Sequence, residues 1–224
     1  MNSVQSKNPS CKPLSGELNV QNIPHCPTYP ASSAGYITLG ALIREHWNAM
    51  KKYAILLRGV TPTGKNRVPM AELRAALSDA GLLDVQTYIQ SGNVIAKSAL
   101  AQSSLESFVH EVIFREIGAD IAVIARTHEQ LMRVMEGNPF PLSGASRTYF
   151  SLFSAPAAPH LIEALCRLEF SPDRVSVGQD ALYTLYATKH SDSKFNNNFF
   201  ERKLKVSATT RNFNTMSRLV ELSV

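Results

Sequence analysis

Apolar residues along this chain switch between strand-like and helix-like spacing from Tyr53 onward. The run Tyr53–Val60 is mostly apolar and short, which predicts a buried strand. In Met70–Ala80 the apolar residues recur every three or four positions, which predicts an amphipathic helix that ends at Gly81.

The next segments complete a unit of four strands and two helices. Val85–Gln90 and Asn93–Ala96 flank Ser91-Gly92 and predict a hairpin, because glycine supplies the positive φ of a tight turn. A helix over Ser103–Ile117 and a strand over Ile121–Ala125 follow. The order is βαββαβ, which is the arrangement of ferredoxin-like domains, or alpha-beta plaits.

The same order recurs after a linking helix over Thr127–Glu136, without residue-level identity between the halves. The predicted strands and helices of the repeat are, in chain order, Arg147–Ser154, Ala157–Leu168, Val175–Val177, Ala181–Ala187, Lys194–Leu204 and Val206–Thr209. A last helix covers Asn212–Leu222. We therefore predict an α+β fold of two consecutive ferredoxin-like units with an extra C-terminal helix.

The N-terminal residues have a different composition. Residues 1–35 are rich in serine, proline and scattered polar residues, which predicts disorder. Tyr36–Met50 has roughly helical apolar spacing and permits one short amphipathic helix. We predict an N-terminal extension over 1–49, mostly disordered, a first plait over 50–126, and a second part over 127–224 that holds the linking helix, the second plait and the C-terminal helix. Met50 is the expected functional start.

Composition and charge narrow the function only slightly. The 224 residues are 44% hydrophobic, and the formal net charge of +5 favours anionic partners modestly. The basic residues are scattered apart from Arg202, Lys203 and Lys205. Three cysteines without metal-ligand spacing predict a reducing, cytoplasmic setting. No apolar run approaches the ~20 residues that span a bilayer, so no membrane association is expected.

Catalytic and metal-binding patterns are missing from the sequence. Neither an H-E-x-x-H motif nor paired Cys/His spacing occurs, so we predict no metal and no cofactor. No nucleophile or general base can be assigned, and the catalytic residues stay unknown.

The segment from Gly59 to Asn66 resembles a phosphate-binding Gly-x4-Gly-Lys loop in all but its last position. Asn66 stands where the magnesium-binding hydroxyl of a P-loop would be, and Pro69 delays the helix that would present its amides. This pattern predicts anion binding without ATP hydrolysis.

Three separated strings support a family resemblance: Leu56-Leu57-Arg58-Gly59 with Gly64-Lys65-Asn66, then Thr87 to Asn93, then Ala208 to Thr215. Together they resemble the bacterial domain-of-unknown-function family 1697, over Met50 to nearly Val224. The resemblance implies two consecutive alpha-beta plaits and no established activity. Thr61-Pro62-Thr63 departs from the Asn-Val-Gly that is more usual in that loop.

These strings, together with the polar start of the predicted helix at Lys194, predict a site for an anionic, phosphate-bearing ligand. The expected ligand is either a nucleotide or single-stranded nucleic acid. The predicted ligand-binding residues are Arg58, Gly59, Gly64, Lys65, Asn66, Gln90, Ser91, Asn93, Lys194, Arg211 and Asn212. We expect Arg211 to meet Lys65 or Arg58 in space.

Two other interpretations stay open. One is an enzyme acting on a phosphorylated small molecule, with Lys65 or Arg211 stabilising developing charge. The other is purely structural: the strings fasten the two plaits together without a ligand, with Arg58 paired to an acid such as Glu72.

Overall fold

Successive side chains of each strand point to opposite faces of its sheet, and in the inner strands most residues on both faces are buried. The computed structural model of the chain describes residues 50–61, 63–141 and 146–224. The predictions of disorder over 1–35 and of a helix before Met50 lie outside these residues. All described residues belong to one compact unit.

The first sheet has the strand order β2-β3-β1-β4, and every neighbouring pair is antiparallel. Its strands are β1 (Lys51–Leu57), β2 (Leu83–Tyr88), β3 (Asn93–Ser98) and β4 (Val123–Thr127). Helix α1 (Met70–Asp79) connects β1 to β2, and α2 (Gln102–Ile117) connects β3 to β4. Helix α1 begins only at Met70, because Pro69 holds an extended backbone at its N-cap.

The second sheet repeats this arrangement with the order β6-β7-β5-β8, again antiparallel throughout. Its strands are β5 (Thr148–Phe153), β6 (Arg174–Val177), β7 (Ala181–Leu185) and β8 (Ala208–Asn212). Helices α4 (Pro159–Cys166) and α5 (Asn197–Leu204) are its connections, and a 3-10 turn at His190–Asp192 precedes α5.

Two further helices lie outside the repeated order. Helix α3 (His128–Glu136) follows β4, and α6 (Phe213–Leu222) follows β8. Thr127 and Gln130 form a capping box at the start of α3, and the Asn212 side chain accepts a hydrogen bond from Thr215 N at the start of α6. Local polar residues therefore set both helix starts.

Three apolar clusters show how the layers pack. In the first, one face of the first sheet packs on α1 and α2. In another, one face of the second sheet packs on α4 and α5. The remaining faces share a core with α3 and α6, in which Leu56 and Ile124 of the first sheet join Phe150 and Tyr183 of the second. The inner strands β1, β3, β5 and β7 are therefore covered on both sides, whereas the edge strands β2 and β6 are partly exposed.

The α+β fold class with two four-stranded sheets is confirmed at this level. Several predicted boundaries differ. Helix α5 begins at Asn197 instead of Lys194, because Asn196 caps it after the 3-10 turn. Strand β8 begins at Ala208 and extends to Asn212, where the sequence pattern predicted Val206–Thr209. Among the described residues, every helix is too short or too polar to cross a bilayer.

Candidate functional site

Arg58 follows the last residue of β1 and is held by residues of α5. Its Nε donates to Glu201 Oε1 at 2.8 Å, and its Nη2 donates to Glu201 Oε2 at 2.6 Å and to Asn198 Oδ1 at 2.9 Å. This is a bidentate pair between side chains that are 31% and 14% exposed. The pair joins the first sheet to the helix that packs on the second sheet.

The two charges of this pair stabilise each other. The hydrogen bond from Arg58 to Glu201 raises the pKa of Arg58 above its usual value despite partial burial. Burial acts to raise the pKa of Glu201, but the bonds from Arg58 and from Ala208 N outweigh it, so the pKa of Glu201 is lowered. Glu201 therefore stays ionised well below neutral pH.

Arg211, in β8, is buried between the sheets and donates only to neutral acceptors. The set formed by Arg211 and its partners Leu57, Ser91, Gly92, Asn93, Thr209 and Thr210 is here called the arginine clasp. Nε reaches Asn93 Oδ1 at 2.5 Å, and Nη1 reaches Thr209 Oγ1 at 2.7 Å and Thr210 O at 3.0 Å. Nη2 reaches the carbonyl oxygens of Leu57, Ser91 and Gly92 at 2.9, 3.1 and 3.1 Å.

The clasp leaves no donor of Arg211 for a ligand, since six acceptors share its five N–H groups. Burial lowers the pKa of Arg211 to about 10, so the guanidinium is charged at neutral pH. A buried cation without a carboxylate partner is costly, and the carbonyl oxygens around it offset that cost.

The turn between β2 and β3 is shaped to fit the clasp. Asn93 is fully buried, and its Nδ2 donates to Tyr88 O and Ser91 Oγ, both at 3.1 Å. Gly92 has φ +79°, and a Cβ there would lie 2.7 Å from Val60 Cγ2 and 2.8 Å from Leu57 Cβ. Only glycine therefore fits between this turn and the end of β1.

The loop from Gly59 to Asn66 closes on itself. Gly59 and Gly64 have positive φ values of 66° and 83°, and Thr61 N donates to Asn66 O at 3.1 Å. The Asn66 side chain donates to Gly59 O at 3.3 Å. Lys65 is exposed, and its side chain makes no hydrogen bond or ion pair with Arg211 or any other residue in the described ranges. Asn66 thus orders the loop, and Lys65 remains available to solvent.

The remaining predicted residues lie apart from the clasp contacts. Gln90 donates through Nε2 to Val68 O at 3.2 Å. The Lys194 ammonium lies 5.0 Å from the centroid of the Phe195 ring. Asn212 caps α6 through a 2.9 Å bond from Thr215 N. The structure therefore brings together Arg58, Ser91, Asn93 and Arg211 around the end of β1. Most of the other predicted residues make contacts outside the clasp, and the Lys65 side chain makes no hydrogen bond.

An open groove of about 590 Å³ lies beside Arg58. It is here called the Arg58 groove, and its lining residues are Arg58, Asp120, Ala122, Asn198, Glu201, Arg202, Lys205, Val206 and Ser207. Arg58 Nη1 has no hydrogen-bond partner in the described part of the chain, in contrast to Nε and Nη2. Because Glu201 is paired with Arg58, the groove has two further cations, Arg202 and Lys205, against one carboxylate, Asp120.

Sequence reasoning missed the main partners of the two arginines. The acid that pairs with Arg58 is Glu201 rather than Glu72, which is exposed on α1. Glu201 lies 143 residues further along the chain, and no local pattern indicates that pairing. The Arg202-Lys203-x-Lys205 cluster was a visible signal for the groove, although it was not assigned to the site. No group of three metal-ligating side chains occurs among the residues that the structure describes.

These observations define an α+β protein in which two four-stranded sheets are joined by buried and half-buried arginines beside a basic groove. Residues 50–183 match the family described as protein of unknown function (DUF1697), and the chain belongs to that family. It is also similar to the solved structure of the conserved bacterial protein SP0830 from Streptococcus pneumoniae. That likeness has 25% sequence identity and a TM-score of 0.59, and covers 78% of this chain and 99% of that one. No curated protein matches the chain.

Proposed function

We propose that this chain is a binding module for an anionic, phosphate-bearing ligand, and that the Arg58 groove receives the phosphate. The ligand is a nucleotide or single-stranded nucleic acid. The observation that carries the proposal is the state of Arg58, whose guanidinium is fixed by Glu201 and Asn198 while Nη1 stays unpartnered at the groove. A pre-oriented guanidinium with a free N–H edge suits an oxyanion.

The charges around Arg58 support this assignment. Arg202 and Lys205 line the same groove, and both are exposed. Asp120 is the one lining carboxylate not engaged by Arg58, and it also lies 3.0 Å from His110 Nε2. The groove therefore has a modest positive surplus, in agreement with the net charge of the whole chain. Its open shape is more typical of a binding surface than of a closed catalytic pocket.

The test compares two double variants that remove the same charge from the full chain. Arg202→Gln with Lys205→Asn removes the two groove cations other than Arg58, and asparagine tolerates the left-handed backbone of Lys205, whose φ is 58°. Arg115→Gln with Lys203→Gln is the matched control, because neither residue lines the groove. The probes are inorganic pyrophosphate and a fluorescent thymidine oligonucleotide of about 10 nucleotides.

We expect a heat-shift or fluorescence titration to show binding of at least one probe. The groove variant should bind that probe at least tenfold more weakly, and the control should bind within about twofold of the parent, with every affinity falling as salt rises. Absence of binding to every probe, or equal weakening in both double variants, would refute the proposal.

A second candidate function, favoured by Arg211, is structural. All hydrogen-bond donors of Arg211 are used within the protein, and its acceptors come from both sheets. Under this proposal the strings around Leu57, Asn93 and Arg211 fasten the two sheets together. The same contacts give no support to an enzyme in which Arg211 stabilises developing charge, because the guanidinium is already fully engaged.

The finer fold assignment is also a proposal. We propose that residues 50–126 and 127–224 each contain a ferredoxin-like unit. In both sheets the first strand of the unit is central, next to the third and the fourth, and the second strand is at an edge. Two helices connect the strands in each unit, as a split βαβ arrangement requires.

A further inference from the structure

A second cavity lies at the N-terminal end of β5, and it shares no lining residue with the Arg58 groove. It has a volume of about 640 Å³ and is here called the His190 cavity. Its lining residues are Ser146, Arg147, Tyr149, Thr188, Lys189, His190, Ser191 and Asp192. They come from the start of β5 with the two residues before it, and from the 3-10 turn with the two residues before it. This volume lies within the usual range for small-molecule sites.

Two cations of this cavity are largely free of protein partners. Arg147 Nη1 donates to Ala187 O at 2.9 Å, which anchors the guanidinium, and its Nε and Nη2 have no partner in the described ranges. The exposed Lys189 ammonium makes no hydrogen bond or ion pair with a described residue. The one lining carboxylate, Asp192, accepts a 2.9 Å bond from the Ser191 hydroxyl. Two cations therefore face a single acid.

Aromatic rings form a rigid wall beside these cations. The rings of Tyr149 and His190 are stacked with centroids 4.7 Å apart, and Tyr186 meets both rings edge-on at 5.1 and 5.0 Å. Tyr186 is itself fixed by a 2.8 Å bond from its hydroxyl to Phe195 O. A rigid aromatic wall can hold a flat organic group with little loss of conformational entropy.

His190 adds an unmet hydrogen-bonding group to the same wall. Its Nε2 is buried and has no partner among the described residues. Burial lowers the pKa of His190, so its ring is neutral at pH 7. Most buried polar atoms in folded proteins have a partner, so this unpartnered nitrogen is an exception within the wall of the cavity.

From these contacts we propose that the His190 cavity binds a small aromatic phosphate monoester of the nucleoside monophosphate type. The phosphate lies between Arg147 and Lys189, where the free N–H groups of the guanidinium form charge-assisted hydrogen bonds. The aromatic part lies against the Tyr149 side of the wall. This site is independent of the Arg58 groove, because neither set of lining residues contributes to the other.

The test is isothermal titration of the full chain with AMP, adenosine and inorganic phosphate. Both parts of the ligand contribute, so we expect AMP to bind at least tenfold more tightly than either adenosine or phosphate alone. Arg147→Gln with Lys189→Gln should weaken AMP binding at least tenfold, and Tyr149→Leu should weaken it about three- to tenfold.

Three controls keep the result interpretable. Arg147→Lys with Lys189→Arg keeps both charges and should retain binding within about fivefold. Arg115→Gln with Lys203→Gln removes equal charge elsewhere and should change nothing. The groove variant, Arg202→Gln with Lys205→Asn, should also leave this titration unchanged, which separates the two sites.

A spectroscopic readout locates the ligand directly. The imidazole resonances of His190, assigned by loss of the signals in His190→Gln, should shift on addition of AMP, whereas those of His160 should not. No heat of binding up to millimolar AMP would overturn the proposal. Binding that survives Arg147→Gln with Lys189→Gln, or that is lost instead in the groove variant, would overturn it as well.

Discussion

Replacing Arg211 by methionine removes the guanidinium of the arginine clasp while keeping an unbranched side chain of similar length. Two acceptors of the clasp, Ser91 O and Asn93 Oδ1, then lose the one donor that each has. The carbonyl oxygens of Leu57 and Gly92 each keep another donor, Thr209 Oγ1 for Leu57 O and Leu57 N for Gly92 O. A buried acceptor left without a donor costs about 1–3 kcal/mol.

The expected loss of unfolding free energy follows from these two acceptors. Asn93 Oδ1 is buried and contributes about 1–3 kcal/mol, whereas Ser91 O belongs to an exposed residue and contributes less, and relief of the buried charge offsets part of the loss. We therefore expect Arg211→Met to lower the unfolding free energy by about 2 kcal/mol. Urea denaturation of the full chain, followed by far-UV circular dichroism, measures this change.

Two comparisons show whether the clasp is responsible. Arg115→Met changes an arginine that is 65% exposed and should alter stability by no more than about 0.5 kcal/mol. A double-mutant cycle of Arg211→Met with Asn93→Ala should give a coupling of about 1.5 kcal/mol, because the two side chains share a charge-assisted bond. A loss below about 1 kcal/mol in Arg211→Met would show that the clasp does not hold the two sheets together.

The other predictions concern backbone fit and the Arg58 pair. Gly92→Ala should lower the unfolding free energy by about 2–4 kcal/mol, because alanine is strained at positive φ and its Cβ would clash with Val60 and Leu57. Gly81→Ala should cost only about 1 kcal/mol, because its added Cβ meets no atom within 4 Å. Equal urea midpoints for the two variants would contradict this prediction. Lys205→Gly should raise the unfolding free energy by about 1 kcal/mol, because Lys205 adopts the left-handed conformation at the end of α5, which glycine adopts without strain. A thermal melt with no increase in melting temperature would contradict this prediction. Glu201→Gln should cost about 1–2 kcal/mol at pH 7. The pKa of Glu201 is lowered in the folded state, so the stability that ionised Glu201 contributes is complete above its unfolded pKa and is lost as pH falls through its folded pKa. The parent protein and Glu201→Gln should therefore become equally stable in acid. A difference between their urea midpoints that stays constant with pH would count against the pairing.

Local patterns in the sequence predicted the elements well. Apolar spacing of 2 or 3.6 residues indicated the strands and helices, since each period reflects which side of a single element is buried. Capping and turn chemistry are equally local. Gly92 has the positive φ expected of a tight turn, and Asn212 caps α6 as a residue of its type commonly does. Boundaries shifted by a few residues where a cap such as Asn196 intervened.

The candidate site was only partly visible in the same way. The sequence singled out Arg58, Asn93 and Arg211, but their partners depend on residues 118 to 154 positions away in the chain. Whether an arginine is free for a ligand depends on how many acceptors surround it. The number of acceptors around an arginine is set by how distant segments pack, and it cannot be predicted from the spacing of residues along the chain.

The amino-acid sequence by itself therefore determined the order of strands and helices, the helix caps and the turn at Gly92, because each depends on neighbours within a few residues. The tertiary structure alone decided that the inner faces of the two sheets are buried together with α3 and α6, that Glu201 pairs with Arg58, and that Arg211 is enclosed by carbonyl oxygens. These features require distant segments to meet, and they arise only when the apolar faces of both sheets are removed from water in one shared core.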